Sequence, residues 1–383
     1  MSTGRTEAYV GEEIFALMES LYPLHRSITG EGNRQTLKML SEIVPLEIVE
    51  IPSGTSVFDW TVPQEWRIAD AYIALPNGER LLDLAASNLH VVSYSTAVSQ
   101  TLSWEELKEH LYFDRKNPDW IPYRTDYYGD NWGFCLSYKQ YQAIESAGHD
   151  KFRAEIVAEK FDGSLTCGEI FLPGSSPREV LISCHICHPS LANDNLSGIA
   201  TAIHLARDLA ASDNNLSYRF VFVPATIGAI AWLATRQEVL SNIQDGLVLT
   251  LLGDRGRSTY KRSRKGSADI DQAVAHVLEY SGADFEIRRF EPWGYDERQY
   301  CSPGVNLNVG CFMRTPNGEY QEYHTSGDNM DIIDSDSLQD SWEKCHAIFR
   351  ILENNGCYEN LLPYGEPRLG QHDLYSAFAH NES

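Results

Sequence analysis

Between Ser183 and Gly198 the chain reads SCHICHPSLANDNLSG, and those residues bring His185, His188 and Asp194 close together. Two imidazoles and a carboxylate are the donor types of a hydrolytic zinc site, in which one coordination position stays open for water. The same stretch holds Cys184, Cys187 and His188 in the C-x-x-C-H spacing that attaches a c-type haem. Haem attachment takes place on exported chains and one short match arises readily by chance, so zinc chemistry is the better supported. A second polar cluster, EYQEYHTSGDNMD, places His324 directly after Tyr323. Histidines without such company, His110 and His204 among them, are expected to be structural.

These residues need a frame. EVLIS reads as a strand and GIATAIHLARDLA as the helix after it, so the polar loop falls at a strand's carboxyl end, where open α/β sheets bind ligands. The segments RAEIVAEKF, LTCGEIFLP, EVLISCHI, YRFVFVPA and GLVLTLLG read as further strands. Continuous apolar strands alternating with helices predict an α/β fold with a mixed, mainly parallel central sheet covered by helices. Glu7 to Leu21 and Asn33 to Ile43 have helical periodicity, broken by SITGEGNR. From Leu46 the chain alternates in strand fashion, with a turn at Pro76-Asn77-Gly78. Ser103 and Glu106 form a capping box for a short helix reaching Phe113. The expected division is a small β-rich insert domain over 46–114, with 1–45 and 115–383 forming the main domain. The tail from Asn360 to Ser383 is expected to pack loosely or to lead toward a further module.

The 383 residues carry a formal net charge of -23, which repels phosphate backbones and anionic lipid. The most basic stretch, Arg255 to Lys265, is too short to reverse that, so neither nucleic acid nor a membrane is an expected partner. Met1 to Gly30 has no secretion-signal pattern, and apolar runs such as Phe220 to Pro224 are far shorter than the roughly 20 residues that span a bilayer. A soluble cytoplasmic protein is expected, its eight cysteines mostly reduced and buried. Cys187 fits a small residue packing the strand end better than a thiolate ligand. Trp60, Trp66, Trp132 and Trp293 are expected to pack, the last two as pocket walls.

Three segments in order, ANDNLSG, VPATIGAI and EYHTSGDN, resemble the zinc exopeptidases of the bacterial co-catalytic aminopeptidase type. RSITGEGNRQTL, DGSLTCGEIFLPGSS and SCHICHPSLANDNLSG resemble more closely an aminopeptidase-like family with a small insert domain, found in polysaccharide and natural-product biosynthesis clusters. The resemblance covers nearly the whole chain. It implies that Asp194 is a metal-binding carboxylate, that His324 is the late ligand, and that Tyr323 helps an oxyanion. For the early ligand, strand-end alignment favours His185 and the His-Pro-Ser run favours His188.

The chain departs from the pattern at two positions. The aminopeptidases end a strand in Glu-Glu-x-Gly, and here the stretch is Ala225-Thr226-Ile227-Gly228. Thr226 in place of the second Glu implies one zinc per chain. Ala225 stands where the resemblance implies the general base, whose loss costs about 10²–10⁴ in rate. The chain is then impaired, either as a relative that lost activity or as a form whose Glu was replaced to trap substrate. Asp254 occupies roughly the place of another metal carboxylate, or caps the turn before Gly256. Asp296 or Glu297 could face the same cleft, and Arg26 and Trp132, the latter within Tyr123 to Cys135, complete a weaker set of substrate-facing residues.

The expected function is zinc-dependent hydrolysis of an amide or peptide bond, removing an aminoacyl group from a small peptide or an aminoacylated biosynthetic intermediate. A non-catalytic binding protein on the same fold is the alternative that Ala225 supports. Zinc-assisted acyl transfer or cyclisation is a third. A homo-oligomer is compatible with each.

Overall fold

The computed structural model describes residues 9–356, 359–372 and 374. Two helices open the chain, α1 (Val10–Leu21) and α2 (Glu31–Ser41). Val10, Ile14, Met18 and Leu21 are buried along one stripe of α1, the spacing that turns a helix's apolar face inward. The part of the first expected helix before Tyr9 lies outside the described residues.

An eight-stranded sheet forms the centre. Strand β1 (Glu47–Pro52) lies on one edge. A smaller sheet takes β2 (Glu65–Ala74), β3 (Arg80–Asp83), β4 (Val98–Ser103) and β5 (Lys151–Phe161). The chain returns to the large sheet with β6 (Ser164–Leu172) and β7 (Glu179–His185), followed by α3 (Gly198–Ala210). Then come β8 (Ser217–Val223), α4 (Ile227–Thr235), β9 (Ile243–Leu249), β10 (Ser258–Lys261) and α5 (Asp269–Tyr280). Strand β11 (Phe285–Arg288), the short α6 (Glu297–Tyr300), β12 (Val309–Met313) and the long α7 (Ser335–Asn354) complete it.

The large sheet runs β1-β6-β8-β7-β9-β12-β10-β11. Its middle strands β8, β7, β9 and β12 are parallel, whereas β6 pairs antiparallel with both β8 and β1, and β10 antiparallel with β12, so the sheet is mixed with a parallel centre, as expected. Every residue of β7 and β8 is buried, as strands covered on both faces require. Leu181, Val221 and Val248 pack into the core on one face, and Ile182, Phe220, Phe222, Leu247 and Leu249 into the core on the other. Trimming one such leucine to alanine would cost about 2–5 kcal/mol.

Strand membership differs from the expected division at two places. β1 belongs to the large sheet, and β5 pairs along its length with β2 and β4 in the small one. The alternating exposure of β5 suits a strand with one solvated face, unlike the wholly buried β7 and β8. The Pro76 to Gly78 turn joins β2 to β3, with Gly78 at φ +91, where a side chain would be strained. The capping box at Ser103 and Glu106 is present, but the helix covers only Trp104–Leu107. It stops early because His110 stacks on Trp132 and Leu111–Tyr112 pair with Phe134–Cys135. Residues from Asn354 onward form a separate unit with a 3-10 turn at Leu369–His372, and the rest of the expected loose tail lies outside the described residues.

Candidate metal centre

His185 is the last residue of β7 and faces Val223 across the parallel ladder. The chain then turns through an irregular segment, Ala192–Ser197, into α3. That segment is tied down by its own polar residues. Asn193 accepts from the Gly253 amide at 2.9 Å and donates to Asp254 at 3.0 Å, while Asn195 donates to the Leu249 carbonyl at 3.1 Å. Ser197 donates to the Asn193 carbonyl and accepts from the Leu252 amide. Gly198 has no room for a side chain, because a Cβ would lie 2.5 Å from the Leu249 carbonyl oxygen. The Asn-Asp-Asn-Leu-Ser-Gly run thus welds the loop after β7 to the loop after β9. Asn193 and Asn195 spend their side chains on the backbone of these loops and, for Asn193, on Asp254, leaving the Asp194 carboxylate to other partners.

Three histidines converge on that carboxylate. His185 Nε2 lies 2.9 Å from Asp194 Oδ1, while His188 Nδ1 and His324 Nε2 lie 3.2 and 3.1 Å from Oδ2. Tyr295 donates to Oδ1 at 3.2 Å and stacks on the His185 ring, centroids 5.0 Å apart. Tyr123 packs edge-on against His188 and His324 at 5.1 and 5.3 Å. Tyr323 stacks flat on His324 at 4.0 Å. His324 sits at φ +55, left-handed backbone that costs a non-glycine residue about 1–3 kcal/mol, and the Tyr123 amide holds its carbonyl at 2.8 Å. Its side chain is 36% exposed, so the centre opens on that side, while His185 and Asp194 are buried.

The electrostatics follow from burial and this convergence. Burial alone would raise the Asp194 carboxyl, but the His188 charge and hydrogen bonds from His185, His188 and His324 hold it well below the usual range. Burial likewise opposes charge on His188, and Asp194 overcomes it, keeping that imidazole well above its ordinary value. His185 goes the other way: burial lowers it, leaving a neutral ring suited to ligation. Its buried Nδ1 has no partner among the described residues, so the ring's polar compensation lies at Nε2, where Asp194 stands. His185, His188 and Asp194 offer donor atoms all within 4.8 Å of one another, a nitrogen and oxygen set that fits a zinc-type ion.

Asp328 supports the centre and had no role in the sequence analysis. It is fully buried and accepts from the Asn193 amide at 2.6 Å, the Asp194 amide at 3.1 Å and the Tyr320 hydroxyl at 3.0 Å. Burial, followed by the charge of Asp194, pushes its carboxyl up to about 7. Its place four residues after His324 in HTSGD was the available signal. Tyr295 was likewise missed, although its neighbours Asp296 and Glu297 had been expected near the cleft.

Several expected roles change. Asp254 is no cleft carboxylate: it accepts from Asn193, from the Gly256 amide and from the amide and hydroxyl of Thr315, so it ties loops together and caps the turn at Gly256. Glu297 is buried and ion-paired with Lys261. Arg26 is buried too, donating to the His188 carbonyl at 2.9 Å and the Leu21 carbonyl at 2.7 Å, so it braces the ligand loop from behind. Trp132 stacks on His110 and lines a cavity of about 310 Å³ with Tyr112, Arg124 and Asp126, a cavity that includes none of the three histidines. Trp66 packs as expected, but Trp60 and Trp293 are exposed, Trp293 by 72%. Cys184 and Cys187 are buried, out of reach of a haem, and all seven described cysteines are free. Ala225 lies half-buried just past β8, its carbonyl oxygen 3.8 Å from Cys187 Sγ.

A mixed sheet whose parallel strand ends carry a buried aspartate ringed by histidines defines the zinc-aminopeptidase-like class of α/β folds. The chain belongs to the DUF4910 family, described as a domain of unknown function, whose model matches residues 15–355. It is similar to a Clostridium acetobutylicum protein described as a polysaccharide biosynthesis protein with an aminopeptidase-like domain, 45% identical over 95% of this chain and 83% of that one. A crystal structure from the same organism, described as that of a peptidase, matches with a TM-score of 0.90 at 45% identity, covering 94% of this chain and 85% of that one. The zinc aminopeptidase BSAP from Bacillus subtilis shares the fold at 13% identity, with a TM-score of 0.66 over 93% of this chain and 98% of that one. The expected resemblance is thereby borne out. Among the described residues, no helix is long and apolar enough to cross a membrane.

Proposed function

We propose that the chain is a zinc-dependent amide hydrolase of aminopeptidase type, acting on a small peptide or an aminoacylated biosynthetic intermediate. The observation that carries this is the convergence of His185, His188 and His324 on the two oxygens of Asp194. These four residues would hold the ion, one per chain, since Thr226 offers no carboxylate for a second. When bound, the ion supplies Lewis acidity and brings the pKa of water toward about 7. Tyr323, stacked on His324, would donate to the developing oxyanion. Position 225 is where a Glu would take the proton from water, and Ala225 leaves the chain impaired there. The small antiparallel sheet acts as an insert to the catalytic body, and the buried free cysteines suit a reducing cytoplasm.

Ala225 also favours a second function, a binding protein that holds its ligand without cleaving it. The test is to quantify metal in the protein and in Ala225→Glu, and to follow aminoacyl amides and short peptides by product mass. Bound zinc with a rate gain of about 10²–10⁴ in Ala225→Glu supports the hydrolase. Ligand binding without product in either form supports the binding protein, and absence of metal from both forms refutes the zinc centre.

A further inference from the structure

The turn from Tyr295 to Tyr300 covers the same strand ends as the metal centre. Tyr295 lies flat on His185, and the Tyr300 hydroxyl is 2.9 Å from the Ser183 hydroxyl, two residues earlier on β7. Side chains two apart on a strand share a face, so the turn runs along the His185 face, and Asp296 lies between the two contacts in sequence. Helix α6, which Asp296 precedes, packs on α4, whose chain arrives through Ala225. With His185 opposite Val223, Ala225 lies two residues beyond that pair at the same strand ends. Tyr295, Tyr300, Cys187 and Val223 share one core, with Ala225 packed against it.

Asp296 is 2% exposed, and its Oδ1 is buried with no hydrogen-bond partner among the described residues. A buried carboxyl without donors is hard to ionise, because nothing replaces the water it has lost. The charged groups around it are Glu297 and Arg298 on its own turn, Lys261 of β10 paired with Glu297, and His188 from the loop after β7. None of them hydrogen-bonds to its side chain, and Tyr300, Cys167 and Cys311 are the other titratable groups nearby. Burial, then the charge of Glu297, pushes this carboxyl up to about 7, against the pull of Arg298 and His188. Such a group both takes and returns a proton at neutral pH.

We propose that Asp296 is the proton acceptor that stands in for the carboxylate missing at position 225, so that the chain retains a residual hydrolytic activity. The inference rests on the amide-hydrolase function proposed above. In the step, water oxygen bonds to the carbonyl carbon of the scissile amide while one water proton passes to the Asp296 carboxylate. The carbon–nitrogen bond then breaks, the proton moves from Asp296 to the departing amine nitrogen, and the new carboxylic acid ionises. One water is consumed and nothing is oxidised or reduced.

The experiment compares the chain, Asp296→Asn, Ala225→Glu and the double variant, in metal content, thermal melting and rate on aminoacyl amides and short peptides. Asp296→Asn is expected to fold, to bind the same metal and to lose about 10²–10⁴ of the residual rate. In the Ala225→Glu background it is expected to cost less than about tenfold, because a second acceptor is then present. In metal-free protein, carbon-13 spectra of labelled aspartate are expected to show two carboxyls titrating near neutrality, Asp296 and Asp328, of which one disappears in Asp296→Asn. An unchanged rate in Asp296→Asn, an equal loss in both backgrounds, or a carboxyl titrating in the ordinary aspartate range overturns the inference. If Ala225→Glu cleaves a substrate that the chain itself leaves untouched, the inference falls and the hydrolase stands. If neither form cleaves anything, both fall.

Discussion

Asp328 Oδ2 lies 3.1 Å from the backbone nitrogen of Asp194, so one buried carboxylate positions another. Its Oδ1 accepts from the neighbouring Asn193 amide, which fixes both the direction and the height of the Asp194 side chain. In Asp328→Asn one of the two amides faces an NH2 group instead of an oxygen. Zinc affinity is expected to fall about 10–100-fold, the usual effect of removing a partner behind a ligand. Competition against a chromophoric chelator measures it, and an unchanged affinity would show that the loop holds Asp194 without Asp328.

Metal removal should lower stability in proportion to how well the site is preformed. At a hundredfold excess over Kd, a ligand that binds only the folded chain stabilises it by about 2.7 kcal/mol. Urea melts with and without zinc should differ by that amount in the chain and coincide in His185→Ala. A persistent zinc effect in His185→Ala would place the ion elsewhere.

Gly198 is the tightest point of the loop, with Asn195 Oδ1 and the Leu249 carbonyl both inside the space of a Cβ. Because the carbonyl is backbone, it cannot swing away. Gly198→Ala is expected to cost about 1–3 kcal/mol in denaturant melts and to weaken metal binding with it. Wild-type stability in this variant would mean that the junction of loop and helix yields more easily than its geometry implies.

His25 sets an acid limit. Burial, followed by the charge of Arg26, lowers it from 6.5 to about 4, and its ring packs edge-on against Trp66. Between those values the unfolded chain binds a proton that the folded chain does not, so stability falls as pH falls through this window. The loss amounts to about 2–3 kcal/mol by pH 4. Melts of His25→Gln against pH should be flatter from 6.5 to 4, and parallel curves would refute the assignment.

Asp296 acts with the opposite sign. Its carboxyl is raised from 3.8 to about 7, so the folded chain keeps a proton that the unfolded chain releases, and stability falls as pH rises through that window. Asp296→Asn should therefore match the parent near pH 4 and grow relatively more stable up to pH 7. A constant difference across that range would show that the carboxyl titrates normally.

The loop after β7 was legible because its chemistry is local: His185, His188 and Asp194 fall within ten residues, and strand and helix patterns flank them. Fold class was legible for a similar reason, since wholly apolar strands such as β7 and β8 announce burial on both faces. The β5 strand was assigned to the wrong sheet because its pairing partners, β2 and β4, are distant in sequence and its alternation fits any half-exposed strand.

By itself the sequence determined which atoms could ligate a metal, because donor type and strand-end position are properties of residue identity and local periodicity. Only the tertiary structure decided that Asp254 and Arg26 brace loops, that Tyr295 and Asp328 attend Asp194, and that Asp296 lies buried without a donor. Those roles depend on which distant segments meet at the sheet edge, and a hydrogen bond or its absence is a property of the pair, not of either residue.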